Sequence, residues 1–111
     1  MVMQTQIDAT FHALSDPTRR QIVQHLLQSE ATVSELAAPH DMSLPAVMKH
    51  VSKLEAAGLV MRRKEGRTVT CTLSPAPLDE ASQWLEDTLA FWNERLDALD
   101  IYLKAQKENG T

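Results

Sequence analysis

The spacing of apolar side chains predicts two helices at the start of the chain. Ile7, Phe11 and Leu14 recur at helical intervals, which indicates a short first helix. A second helix restarts after it, because Asp16 is a good N-cap residue and Pro17 suits a first helical turn. Its apolar stripe predicts one buried side: Ile22, Val23, Leu26 and Leu27.

Two further helices with a short link follow. The segment "TVSELAAPHD" predicts a third, short helix capped by Thr32 or Ser34 and ended by Pro39 and His40. A fourth helix begins with Ser43 as its N-cap, and Gly58 can adopt the left-handed conformation that closes it. Its predicted buried stripe is Val47, Val51 and Leu54.

The pattern then changes from helical spacing to alternation. Residues 59–74 are rich in β-branched side chains and contain Glu65-Gly66, which predicts a β-hairpin turning there. Val69, Cys71 and Leu73 are expected on its inward side, so Cys71 is interpreted as a buried structural thiol, with a disulfide between subunits as the alternative. Pro75 and Pro77 are expected to end the hairpin.

A long terminal helix is predicted from residue 78 to about residue 107. Apolar residues recur along it at alternating intervals of four and three, which is the seam of a coiled coil: Leu85, Leu89, Trp92, Leu96, Leu99 and Leu103. A helix with such an apolar stripe needs a partner helix to bury it. The pattern favours a homodimer, although packing within one chain would also satisfy it.

The order of elements defines the expected fold class. Four helices, a hairpin and a long helix are a mainly α structure with a small β-hairpin, an α+β winged helix-turn-helix. We expect one domain over residues 1–111, with the helix-turn-helix at about 33–58, the wing at about 59–74 and the dimerisation helix at about 78–107.

The distribution of charge indicates what the hairpin and fourth helix bind. The net charge is -4, yet residues 42–67 hold six of the eleven basic side chains against two acidic ones. A basic middle between acidic ends is typical of a surface for a polyanion such as double-stranded DNA, although a solvated surface is the alternative. The side chains expected to contact DNA lie opposite the buried stripe and on the wing: Ser43, Ala46, Met48, Lys49, Ser52, Lys53, Arg62, Arg63, Lys64 and Arg67.

Three stretches carry a family resemblance over nearly all of residues 7–105: "ALSDPTRRQIVQHL", "TVSELA" and "SLPAVMKHVSKLEAAGLVMRRKEGRTVTCTL". With them the chain resembles the ArsR-type winged-helix repressors of bacteria. The resemblance implies a homodimer joined by its first and last helices, which adds Phe11 to the interface. It also implies an inverted-repeat operator and repression relieved by a signal, whose inducer the residues do not identify.

The chain departs from the metal-sensing patterns of that family. Its third helix has no cysteine and its terminal helix has no histidine, so no metal or other cofactor is expected. His12, His25 and His40 are interpreted as packing or surface residues. His50 is expected to form a hydrogen bond within the motif rather than contact DNA. Arg19 and Arg20 are assigned either to DNA or to acids such as Asp16 or those of the terminal helix.

Other functional classes are less well supported by the residues. A winged-helix module that binds another protein through the terminal helix is the alternative. No nucleophile–base pair, glycine-rich phosphate loop or ligand cluster indicates an enzyme. A single cysteine, no long apolar run and no signal-like N-terminus predict a cytoplasmic protein without a membrane partner.

Overall fold

Five helices account for most of the chain in a computed structural model, which describes residues 2–109 and their side chains from residue 6 onward. The helices are α1 (Val2–Ala13), α2 (Pro17–Gln28), α3 (Val33–Ala37), α4 (Leu44–Ala56) and α5 (Ala76–Asn109). The expected mainly helical fold with a small sheet is confirmed. Helix α3 is shorter than expected, because a 3-10 turn over Ala38–His40 replaces its last residues.

The sheet has three antiparallel strands rather than the two of a hairpin. The wing consists of β2 (Val60–Glu65) and β3 (Thr68–Leu73), and the short strand β1 (Ala31–Thr32) pairs with the other edge of β3. Glu65 pairs with Thr68, so Gly66 and Arg67 form the turn, one residue later than expected. Gly66 supplies the positive φ of 61° that a tight hairpin turn requires.

Three side-chain caps fix where the helices begin. The Asp16 carboxylate accepts from the Arg19 backbone N–H, and the Ser43 hydroxyl accepts from that of Ala46. Thr32, one of the two expected caps, forms a capping box in which Thr32 and Glu35 each accept from the other's backbone N–H. Each cap satisfies donors that the first helical turn leaves without a partner.

One apolar core joins α2, α3, α4 and the sheet. The predicted stripe of α4 is completely buried, and so are the Leu59 and Cys71 side chains. Leu27 is the exception in the stripe of α2, because 62% of its surface is exposed. The core therefore holds the fourth helix and the wing in one body.

Helix α5 begins two residues earlier than expected. Ala76 opens it, and Pro77 lies in the first turn, where its missing N–H has no helical partner to lose. The chain divides into two compact units, one up to Ala81 and one from Ser82. In the second unit the seam residues are all exposed.

Among residues 2–109, no helix combines the length and apolar character that crossing a membrane requires.

Candidate nucleic-acid interface

Helix α4 presents a polar side opposite its buried stripe. Lys49, Ser52 and Lys53 are exposed, with the two lysines one helical turn apart. Ser43 is exposed at the N-terminus, where its hydroxyl is already engaged as the cap. Ala46 and Met48 are half-buried, and Met48 packs against the core. Met48 can therefore offer only part of its surface to a base edge.

Two of the four wing cations are engaged within the protein. The Arg62 guanidinium donates from Nη2 to Glu55 Oε1 at 2.6 Å, and this hydrogen bond raises the pKa of Arg62. Arg63 donates from Nε to Glu65 Oε1 at 2.6 Å, and its Nη2 lies 3.7 Å from Glu30 Oε1. The hydrogen bond to Glu65 is the main cause of the raised pKa of Arg63. Both arginines must exchange or share a carboxylate to contact a phosphate.

Four other cations of this surface have no carboxylate partner. In the part of the chain that the structure describes, Lys49 and Lys53 on α4, and Lys64 and Arg67 on the wing, form no ion pair. All four are exposed. An exposed cation without an internal partner can contact a phosphate without losing an existing bond.

A cleft of about 430 Å³ lies between the helix-turn-helix and the wing. Its walls mix apolar and hydroxyl side chains with one guanidinium: Thr32, Val33, Ser34, Leu44, Met48, Arg67, Thr68 and Val69. The cleft places Arg67 of the wing and Met48 of α4 beside the same open space. Ser34, Leu44 and Thr68 were not among the predicted DNA contacts, because only the folded sheet brings the wing to the start of α3.

Arg19 binds within the protein rather than in the cleft. Its guanidinium donates to the carbonyl oxygens of Ala13 and His12 and lies 3.5 Å from His50 Nδ1. Arg20 donates to the Leu14 carbonyl oxygen at 2.8 Å. In the part of the chain that the structure describes, both guanidinium groups therefore bond backbone carbonyl groups rather than the expected carboxylates, and Arg20 stays exposed.

His50 also contacts the cap of α2. Its Nδ1 lies 3.7 Å from Asp16 Oδ2 and 3.5 Å from Arg19 Nη1, so His50 contacts residues at the start of α2, outside the helix-turn-helix at about 33–58 where its hydrogen bond was expected. The hydrogen bond from the backbone N–H of Arg19 is the main cause that lowers the pKa of Asp16. Both contacts of the imidazole are made by Nδ1.

Cys71 lies on the inward side of β3, as predicted. The thiol is fully buried, and burial raises its pKa because the thiolate would lose its hydration. The nearby Arg62 opposes this effect less strongly. Such a thiol packs as a small apolar side chain.

The other three histidines lie on separate elements of the fold. His12 is exposed, and His25 and His40 are half-buried on separate elements. Within the described residues, no three His, Cys, Asp or Glu side chains gather as they would around a metal ion.

The residues that are predicted to form the dimer interface are exposed. Phe11 on α1 is exposed, and every predicted seam residue of α5 is between 43% and 57% exposed. Apolar side chains of this size on one helix commonly mark a contact surface.

Comparison with known proteins agrees with this architecture. A family described as a helix-turn-helix domain matches residues 14–63. The HTH-type transcriptional regulator Rv2034 of Mycobacterium tuberculosis is 36% identical over 89 residues, covering 80% of each chain. The arsenical resistance operon repressor of Escherichia coli K12 is 31% identical over 101 residues, covering 90% of this chain and 86% of that protein.

The fold is also similar to that of a solved structure. The crystal structure of the ArsR family transcriptional regulator RHA00566 superposes with a TM-score of 0.76 at 41% identity, covering 81% of this chain and 93% of that one. The fold and the basic surface define a winged helix-turn-helix regulator of transcription. The chain belongs to the ArsR family of DNA-binding transcriptional regulators, which is not a family of enzymes.

Proposed function

We propose that this protein is a cytoplasmic, homodimeric repressor that binds an inverted-repeat operator without a metal signal. Helix α4 would lie in the major groove, and the wing would contact the backbone or the adjacent minor groove. The observation that carries the proposal is a set of four exposed cations with no carboxylate partner within residues 6–109, namely Lys49, Lys53, Lys64 and Arg67. The cleft supports it, because Met48 and Arg67 share one open space between α4 and the wing.

The homodimer is supported by the exposed seam of α5. Six large apolar side chains at coiled-coil spacing leave a surface that water solvates poorly. Pairing two copies through this seam would also place two copies of α4 on one DNA molecule. Two recognition helices read half-sites about one helical turn apart, which explains the expected inverted repeat.

Independence from metals is supported by the donor set. The one cysteine is buried in the core, and the part of α5 beyond Ala81 offers carboxylates but no imidazole or thiolate. Soft and borderline ions prefer sulfur and nitrogen ligands. Micromolar zinc or arsenite is therefore expected to leave the protein–DNA complex intact, as followed by fluorescence anisotropy, whereas release of DNA would contradict this part of the proposal.

In vitro selection from a library of random duplexes tests DNA recognition and its symmetry together. The expected product is an enriched inverted repeat bound by two copies of the protein. Lys49→Gln should weaken binding to that sequence, whereas Lys107→Gln, an exposed lysine on α5, serves as the matched control. Enrichment of no sequence would contradict sequence-specific recognition, and enrichment of an unrepeated site would contradict the symmetric dimer.

A second candidate is a module that binds a different protein through α5. The same exposed seam favours it, because an apolar stripe does not by itself distinguish a second copy from another helix. Sedimentation of the purified chain separates the two cases. A concentration-independent monomer that also fails to bind duplex DNA at low salt would favour this module.

A further inference from the structure

The Arg19 side chain connects three elements of the fold. Only 7% of its surface is exposed, and each guanidinium nitrogen has a different acceptor. Nε donates to the Ala13 carbonyl oxygen at 2.6 Å, and Nη2 donates to that of His12 at 3.3 Å. These two carbonyl groups end α1, where the helix dipole also favours a cation.

The third nitrogen points to the middle of α4. Arg19 Nη1 lies 3.5 Å from His50 Nδ1, which accepts this hydrogen bond in the neutral tautomer that carries its proton on Nε2. In that tautomer Nδ1 has no proton for Asp16 Oδ2, which lies 3.7 Å away, so Arg19 rather than Asp16 is the hydrogen-bond partner of Nδ1. His50 is half-buried between Lys49 and Val51. A shift of His50 therefore moves the exposed Lys49 on one side and the buried stripe of α4 on the other.

We infer that Arg19 is a positioning residue for α4, which sets the orientation of the DNA-reading helix by joining His50 to the end of α1. The inference rests on the proposed function where it concerns DNA reading. It assigns to α1 a route to α4 that does not pass through the core.

The planar guanidinium is what makes this link directional. Its donors are fixed in one fork, so three acceptors in place define the orientation of both helices. A lysine keeps the positive charge at the end of α1 but offers a single ammonium with no fixed plane. Arg19→Lys therefore removes the geometry while retaining the charge.

The orientation of α4 is measured first on the whole protein without DNA, from residual dipolar couplings of the backbone amides. In Arg19→Lys and in His50→Leu, the amides of α4 should change orientation relative to those of α2. His50→Asn should retain the dipolar couplings of the unaltered protein, because the asparagine side-chain oxygen can replace Nδ1 as the acceptor. Arg20→Lys is the matched control, since Arg20 is exposed and, among the described residues, its side chain bonds the Leu14 carbonyl oxygen alone.

DNA discrimination is measured next with the selected duplex and a scrambled duplex. Arg19→Lys and His50→Leu should each lower the ratio of the two affinities by about tenfold, the usual cost of one badly made base contact. The double variant should be no worse than either single variant, because both remove the same link. Affinity for the scrambled duplex should stay unchanged.

Two results would overturn the inference. One is an unchanged α4 orientation in Arg19→Lys. The other is a lower stability in urea with an unchanged affinity ratio, which would make Arg19 a packing residue only. If the couplings change as expected but the unaltered protein does not discriminate between duplexes, the positioning role stands and the proposed function fails.

Discussion

Arg62 on the wing and Glu55 on the last turn of α4 form a hydrogen-bonded ion pair, with 2.6 Å between Nη2 and Oε1. The pair joins the two elements that are proposed to contact DNA. Both side chains are about one-third exposed, so the pair contributes at most about 1 kcal/mol to stability. Its main consequence is that Arg62 is engaged, whereas Lys64 and Arg67 on the same wing are not.

The salt dependence of DNA binding should separate these two groups of cations. Lys64→Gln and Arg67→Gln should each flatten the plot of log affinity against log salt by about one unit per protomer, because one phosphate contact is lost. The measurement is fluorescence anisotropy at several salt concentrations.

Arg62→Gln is the matched variant, because Arg62 lies on strand β2 with Lys64 but is paired with Glu55. Its slope should change less, since Glu55 already neutralises part of the charge that Arg62 could bring to a phosphate. Equal slope changes in Arg62→Gln and Arg67→Gln would show that the internal ion pair does not decide which cations contact DNA.

Stability should depend strongly on the stripe that holds α4 in the core. Leu54 is fully buried, so Leu54→Ala should lower the free energy of unfolding by about 2–5 kcal/mol through lost burial and a new cavity. Urea denaturation measures this change. Leu27→Ala is the control, because Leu27 is largely exposed and its truncation should change stability by no more than about 0.5 kcal/mol.

The regular elements could be predicted from the sequence because each has a strong local signal. The stripe of α4 follows from its spacing, and Ser43 and Asp16 are capping residues wherever they occur. The alternation around Cys71 likewise identified its buried side. These features depend on residues that are neighbours in the chain.

The features that were missed depend on contacts between distant residues. Strand β1 has only two residues, Ala31 and Thr32, and exists because β3 pairs with it. The partners of Arg19 lie on α1 and α4, so no local pattern could select them over DNA or a carboxylate. The cleft beside Ser34 and Thr68 forms only when the sheet brings the wing to α3.

The capping box should make stability depend on pH in the acid range. Hydrogen bonds from Thr32, chiefly from its backbone N–H, lower the pKa of Glu35 in the folded protein. The resulting stabilisation is fully present above the ordinary glutamate pKa of about 4.3 and is lost as the pH falls through the lowered folded value.

Glu35→Gln should therefore reduce the loss of stability between about pH 4.5 and pH 3, measured by urea denaturation at each pH. Glu86→Gln provides the control, because Glu86 is exposed on α5 and has no hydrogen-bond partner among the described residues. An identical pH dependence in the two variants would contradict the role of the capping box.

Dimerisation should depend on the seam of α5. A double change, Trp92→Glu with Leu96→Glu, places charges at two exposed seam positions and should convert the dimer to a monomer at micromolar concentration. Sedimentation velocity measures the change. The control is Glu94→Gln, because Glu94 lies between these two residues in the sequence but is not a seam residue, so this change should leave the dimer intact. A dimer that survives the double change would exclude this seam as the interface.

The Cys71 thiol should be inert in the folded protein. Burial limits access of reagents and raises the pKa of the thiol, so little reactive thiolate is present at neutral pH. A colourimetric disulfide reagent should label less than a tenth as fast as it does in urea, where the thiol is exposed. Rapid labelling of the native protein would contradict the inward orientation of Cys71.

The most direct test of the account is the affinity of the protein for its own promoter DNA and for a scrambled duplex of the same length. Fluorescence anisotropy from low to moderate salt gives both affinities and their salt slopes. A regulator that reads sequence through α4 should prefer the promoter by at least about a thousandfold, with a steep salt slope for both duplexes. Equal, weak affinities for the two duplexes, together with no enriched sequence in the in vitro selection, would contradict sequence-specific recognition by this surface.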